Sequence, residues 1–476
     1  MKEFSSFRDP SGYVFEENGI LMRKIASSYL PEYRRLIESG LYRELVAGKL
    51  LVPHKELTKP DEVHGLVIQP LRIPMISYPY EWSFSMIQDA ALLTLEIQKR
   101  ALDHKMILKD ASAYNVQFVS GRPVFIDTLS FEEYREGEPW GAYGQFCRHF
   151  LAPLLLMAHT DLRLNRLAEL FLDGIPLDLA SRLLRGKGGL FALIHIHLHA
   201  RSISRHNQDN RMMVGRRAFH LSRRSFYSLL ESLQQKIESL RLRKICTEWG
   251  EYYSETNYSD AASQSKESAV RELLAETEAK QIWDFGANDG RYTRIAFQTG
   301  ASFAAAFDID PVAVERNYRA VQKSGESLLP LLLDLNNPSP GIGFANRERP
   351  ALRERGKPDC ILMLAILHHL AISNNLPFLR IAEWIASLTS WLLIEFVPKE
   401  DSQVQRLLRC RVDIFPDYCP EKFEEAFSTF FQVVQKRNLE DCRRILYLFR
   451  RKDDAQGRSE IQPIPSSEPE WGTDRL

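Results

Sequence analysis

Between Gln281 and Phe396 the chain alternates short, almost wholly apolar runs with longer stretches whose apolar positions recur three and four residues apart. The apolar runs are Gln281–Phe285, Phe303–Asp308, Leu328–Leu333, Asp359–Leu364 and Trp391–Phe396. They have the length of strands and no polar face, the pattern of strands buried on both sides. Between them, Tyr292–Thr299, Val312–Ser324 and Pro377–Ser387 read as helices. This alternation predicts an α/β domain, a parallel sheet with helices on both faces. Farther on, Pro416–Phe427 reads as a helix, and Phe430–Lys436 with Arg444–Arg450 as an antiparallel pair.

Polar chemistry gathers at the ends of the first two strands. The first runs Ile282-Trp283-Asp284-Phe285 into Gly286-Ala287-Asn288-Asp289-Gly290, where glycines let the backbone bend and a ligand lie against it. The second ends in Asp308-Ile309-Asp310, so a carboxylate follows the glycine turn by about twenty residues. That is how a Rossmann-like sheet grips a nucleoside, with the turn under one end and an acid on the ribose hydroxyls. Asp284 would repel a pyrophosphate and suits a cationic, phosphate-free ligand.

These residues resemble the class I S-adenosylmethionine-dependent methyltransferases, over roughly Glu248 to Lys452. The first motif of that family is similar to Asp284 through Gly290, and its second acidic site to Asp308. The resemblance implies a cofactor site that includes Asp284, Gly286, Ala287, Asn288, Gly290, Asp308 and Ile309, with Asp334 or Leu335 beside the adenine. It also implies that the aromatic tract Trp249–Tyr258 and Lys266 close over the methionine end. His368-His369 follows the fourth strand, whose end faces the transferring methyl group in this fold. A histidine there, His369 or His368, could take a proton from the acceptor. Glu395, ending the fifth strand, is a further candidate for substrate contact.

A second constellation lies in the N-terminal half. Ser85–Asp103 reads as a long helix, followed by Asp110, Asn115, a hairpin turning at Ser120-Gly121, and Asp127 at its far end. This resembles the catalytic centre of the protein-kinase-like fold, particularly the aminoglycoside phosphotransferases. The resemblance implies that Asp110 orients an acceptor hydroxyl, while Asn115 and Asp127 hold Mg2+ on the phosphates of ATP. The pattern departs from it at Leu108, at Thr128-Leu129 and in lacking a G-x-G-x-x-G loop. Gly12–Phe15 and Gly19–Lys24 read as a hairpin, with Lys24 a candidate phosphate lysine.

At 476 residues, with 62 basic and 62 acidic side chains, the chain has no net charge to steer it to nucleic acid or an anionic membrane. No apolar run is long enough to span a bilayer, and Met1–Ser6 lacks a signal core, so the cytoplasm is the expected compartment. Six scattered cysteines form no Cys-x-x-Cys pair and imply no structural zinc. His195, His197 and His199 alternate, but a packed helix explains them better than a metal site does. The expected organisation is a kinase-like α+β domain over 1–200, degenerate or active, a basic helical connector over 201–247, the methyltransferase domain over 248–452 and a disordered tail over 453–476. The whole pairing resembles bacterial nodulation-type methyltransferases. It implies methyl transfer to a small-molecule, glycan or protein acceptor recognised or presented by the N-terminal half. The alternatives are a bifunctional kinase and methyltransferase, or a non-catalytic protein that senses the cofactor.

Overall fold

The structure is a computed structural model that describes residues 6–60, 63–198, 221–242, 260–409, 412–440 and 442–453. The chain opens with a hairpin, β1 (Gly12–Glu17) and β2 (Ile20–Ile25), turning through Asn18 and Gly19 at φ 51° and 77°. Both residues at positive φ give the turn the twist that antiparallel strands need. With β3 (His54–Glu56) and β4 (Leu66–Pro70) they form a four-stranded antiparallel sheet in the order β1-β2-β4-β3. The long helix Phe84–Asp103 follows. It is buried on most of its circumference, which explains its nearly continuous apolar sequence. Two small pairs come next: β5 (Met106–Leu108) with β8 (Phe131–Glu133), and the hairpin β6 (Val116–Val119) and β7 (Arg122–Phe125).

The helix Arg223–Ser239 packs against Phe84–Asp103 through Phe226, Leu230, Leu233 and Ile237, all fully buried. Gln88 Nε2 donates to its Ile237 carbonyl at 2.6 Å. The connector helix is thus part of the N-terminal core. Residues 201–220 and 243–247 of the basic stretch, the aromatic tract Trp249–Tyr258, His199 and the tail beyond Asp453 lie outside the described residues.

The second half carries a seven-stranded sheet. Its strands are β9 (Gln281–Phe285), β10 (Phe303–Asp308), β11 (Leu328–Leu332), β12 (Cys360–Met363), β13 (Trp391–Phe396), β14 (Phe431–Asn438) and β15 (Ile445–Arg451). The order is β11-β10-β9-β12-β13-β15-β14. The first five run parallel and the last two antiparallel, as the sequence pattern predicts. Helices Arg291–Gln298, Pro311–Ser324 and Phe378–Leu388 supply the crossovers.

One hydrophobic cluster runs through both halves. Phe118 of β6 meets Tyr318 of Pro311–Ser324 edge-on, with centroids 5.7 Å apart. Polar groups lock the seam. Glu315 accepts from Ser83 Oγ at 2.8 Å and Ser85 N at 2.9 Å, which ties the start of the long helix to the second half. Arg355 grips Glu81 through two bonds of 2.5 and 2.8 Å, both side chains being buried.

Candidate functional site

The turn after β9 is built from backbone geometry that few residues tolerate. Gly286 sits at φ 78°, and its N–H and that of Ala287 both donate to the Phe307 carbonyl, at 2.9 and 3.0 Å. A Cβ on Gly286 would lie 3.2 Å from Ile366, closing the space above the turn. Gly290, at φ 81°, caps the helix Arg291–Gln298, and a Cβ there would come within 2.7 Å of Arg294 and Asn317. Gly290 therefore shapes the turn and does not line the cavity.

The cavity above this turn has a volume of about 240 Å³. Asp284, Gly286, Ala287, Asn288, Asp308, Ile309, Asp334 and Leu335 all line it, together with Lys266, Tyr292, Leu364, Ala365, Ile366 and His369. The parallel register explains the convergence, since β9, β10, β11 and β12 all end on this side. Asp308 closes β10 and is oriented by backbone donors, Asn288 N to Oδ2 at 2.7 Å and Asp310 N to Oδ1 at 2.8 Å. Asp284 Oδ2 accepts from Thr293 Oγ1 at 2.6 Å.

Neither acid is ion-paired to a described residue. Burial is the main cause that pushes Asp284 up to about 7 and Asp308 up to about 6. At Asp284 the Asp308 charge adds to it and the Thr293 hydroxyl and Lys266 charge oppose it. At Asp308 the Asp310 charge adds while the backbone donors oppose. Lys266 lines the same cavity, yet its Nζ bonds Glu395 Oε2 at 2.6 Å and lies 4.6 Å over the Tyr292 ring. Burial lowers the pKa of Lys266, and Glu395 opposes that shift. Arg444 approaches the other Glu395 oxygen at 3.4 Å and binds Asp401 at 2.7 Å. Glu395 is therefore held in a buried ion network and does not line the cavity, which corrects the expectation that it contacts substrate.

The histidines divide. His369 faces the cavity, and burial pushes its pKa down to about 4, leaving it neutral near pH 7. His368 is almost completely buried, with Nδ1 lacking a hydrogen-bond partner among the described residues, so of the two rings His369 is the one that lines the cavity.

In the N-terminal half, Asp110, Asn115 and Asp127 also come together. Asp110 accepts from Ser112 N at 2.9 Å and Gln145 Nε2 at 2.8 Å. Ser130 joins the other two: Asn115 Nδ2 donates to Ser130 Oγ at 3.3 Å, and that hydroxyl donates to Asp127 Oδ2 at 2.7 Å. The remaining Asp127 oxygen meets Arg23 Nη1 at 2.5 Å. Burial alone would raise the pKa of Asp127; the Arg23 charge outweighs it and holds the carboxyl below its ordinary value. A guanidinium thus stands where a magnesium ion would need to bind, so these residues do not fit Mg2+ on ATP. Strand alternation explains why Arg23 reaches in: its neighbour Lys24, the candidate phosphate lysine, belongs to the opposite face of β2. Among the described residues, no three His, Cys, Asp or Glu side chains are grouped to hold a metal. His195 Nδ1 pairs with the Tyr143 hydroxyl at 2.6 Å, and His197 with Ser181. No helix among the described residues is long and apolar enough to cross a membrane.

No family model matches the chain. It is 35% identical over 457 residues, 94% of its own length and 96% of the relative's, to nodulation protein NoeA of Rhizobium meliloti (strain 1021). Among solved structures, N-methyltransferase NodS of Bradyrhizobium japonicum WM9 is 13% identical, covering 41% of this chain and 99% of its own, at a TM-score of 0.31. Magnesium protoporphyrin IX methyltransferase of Synechocystis PCC 6803 is 16% identical, covering 43% and 93%, at a TM-score of 0.30.

Proposed function

This chain belongs to the family of nodulation protein NoeA, and on that premise we propose that it transfers a methyl group from S-adenosylmethionine to an acceptor approached through its N-terminal half. The observation that carries the reading is the pair Asp284 and Asp308, two carboxylates at the ends of adjacent parallel strands, facing one cavity with no ion-pair partner among the described residues. A cavity floored by two such acids, its lysine already bonded to Glu395, suits a ligand with cationic groups and no phosphate. When bound, the cofactor supplies an electrophilic methyl on a sulfonium.

The protein's part is binding and alignment. Asp308, fixed by two backbone amides, keeps lone pairs free for the ribose hydroxyls. Asp284 attracts the cationic methionine end. Gly286 leaves room for the ligand, and Asp334 and Leu335 border the base. His369, neutral on the cavity wall, accepts a hydrogen bond from the acceptor's hydroxyl or amine and helps hold it in line. With so low a pKa it is a weak base, and alignment contributes most of the acceleration. The segment leaving the cavity at Asn336 reaches the N-terminal half at Ser339, whose hydroxyl donates to Glu81 at 2.5 Å. That contact supports a role for the N-terminal half in acceptor access. Phosphotransfer is no part of this reading, because Arg23 occupies Asp127.

The test is incubation of the full chain with methyl-deuterated S-adenosylmethionine and fractionated metabolite and glycan extracts. One acceptor should gain a single labelled methyl, and Asp308→Ala should abolish that product. Tight cofactor binding with no labelled product in any fraction would favour a cofactor sensor instead.

A further inference from the structure

At the seam between the halves, Tyr78, Tyr80 and Tyr114 pack together, with ring centroids 5.7 and 5.8 Å apart. All three are more than nine-tenths buried. The Tyr78 hydroxyl donates to the Pro350 carbonyl at 3.3 Å, whereas those of Tyr80 and Tyr114 have no hydrogen-bond partner. Arg349 comes in from the second half, its Cζ 4.4 Å from the Tyr114 ring centre, and its buried Nε is also unpaired. Buried donors are rarely left unsatisfied, because each loses its hydration without replacement. Here three of them, drawn from three distant parts of the chain, belong to one cluster of side chains linked through the Tyr78 ring and the Arg349–Tyr114 contact.

Charge decides what would complete them. The acids nearby are each held by their own arginine: Glu81 by Arg355 at 2.5 Å, Glu348 by Arg8 at 2.5 Å and Glu169 by Arg166 at 2.6 Å. Arg349 has no ion-pair partner among the described residues. His149, edge-on to Tyr114 at 6.1 Å, is driven down to about 3 by burial and by the charges of Arg148 and Arg349. At Tyr114 the strongest charge is that of Arg349, and a water molecule would satisfy the donors while leaving that guanidinium without a counter-ion. An anion does both.

We propose that Tyr80, Tyr114 and Arg349 form a binding site for one small oxyanion, a phosphate or carboxylate group. The site uses no residue of the cofactor cavity, so it stands or falls independently of methyl transfer. It does adjoin the Asn336–Ser339 link to that cavity, which puts a bound anion where it bears on acceptor access.

Thermal shift and titration calorimetry on the full chain test this, with inorganic phosphate and acetate as probes and chloride at matched ionic strength as control. The wild type should show a saturable shift with at least one probe. Arg349→Gln should lose it, and Tyr80→Phe and Tyr114→Phe should weaken the affinity roughly tenfold, as expected when a hydrogen bond to a charged group is removed. In anion-free buffer both Phe variants should melt at or above the wild-type temperature, because each has lost an unpaired buried hydroxyl. A stronger response to phosphate identifies a phosphoryl ligand, and a stronger response to acetate a carboxylate. No saturable shift in the wild type, an undiminished shift in Arg349→Gln, or Phe variants that melt lower in anion-free buffer would overturn the proposal. Unchanged S-adenosylhomocysteine binding in all three variants keeps the result separate from the cofactor reading.

Discussion

The two halves each end strands with a pair of carboxylates, and the acids have different fates. Asp127 is answered from within the protein by a cation, Arg23, whereas Asp110 receives hydrogen bonds from Ser112 and Gln145 and burial raises its pKa. Asp284 and Asp308 receive hydrogen bonds but no ion pair from the described residues, and they face a cavity in which the one nearby cation acting on Asp284, Lys266, is bonded to Glu395. A carboxylate that a neighbouring cation holds ionised contributes to stability; one whose pKa burial raises, with no ion pair to hold its charge, gains from a cationic ligand. In both cases the two acids stand a few tens of residues or fewer apart, 17 positions from Asp110 to Asp127 and 24 from Asp284 to Asp308. What separates them is which basic side chain the tertiary fold brings alongside.

The largest effect expected from this contrast is on stability. Arg23→Met should cost roughly 3 kcal/mol, since it strands a largely buried Asp127 charge. Urea unfolding should show that loss while S-adenosylhomocysteine affinity stays unchanged. Loss of cofactor affinity in Arg23→Met would mean the two centres are coupled. The carboxyl of Asp127 is held below its ordinary value, so its contribution is present above the unfolded pKa of about 4 and disappears as pH falls through the folded one. The variant and wild type should therefore converge in stability only in strong acid.

Asp308 should behave in the opposite sense. Its pKa is raised to about 6, so the folded state holds a proton that the unfolded state releases. Stability from that source is complete below pH about 4 and fades as pH rises through 6. As pH rises from 5 to 8 the wild type should thus lose about 1–2 kcal/mol of unfolding free energy relative to Asp308→Asn, on top of the fixed cost of an amide NH2 against the backbone donors of Asn288 and Asp310. A variant that loses stability against the wild type as pH rises over that range would show Asp308 to be a structural acid like Asp127. A smaller effect follows for binding. Affinity for S-adenosylmethionine should rise severalfold from pH 5.5 to 8, as Asp308 and then Asp284 ionise, and a flat profile by calorimetry would remove the acids from the cationic ligand.

The sheet and its cofactor edge are legible in the sequence because each buried strand is a short apolar run broken by a glycine or an acid. Gln281–Phe285, Phe303–Asp308 and Trp391–Phe396 are read to the residue for this reason. The pairings that decide chemistry are not legible. Lys266 meets Glu395 across 129 positions, and Arg23 of the first sheet meets Asp127 just beyond the hairpin. Strand alternation could have favoured Arg23 over Lys24, had the partner strand been known. Nothing in the doublet His368-His369 tells which ring faces the cavity; that depends on how the turn after β12 bends at Ala365, at φ 53°.

The central claim is that Asp308 is kept for a nucleoside ligand. Titration calorimetry of S-adenosylhomocysteine into the wild type and Asp308→Ala tests it most directly. Removing the carboxylate should weaken binding at least roughly tenfold, the equivalent of about 1.5–3 kcal/mol, in a variant that remains folded. Equal affinity in the two folded proteins would contradict the assignment.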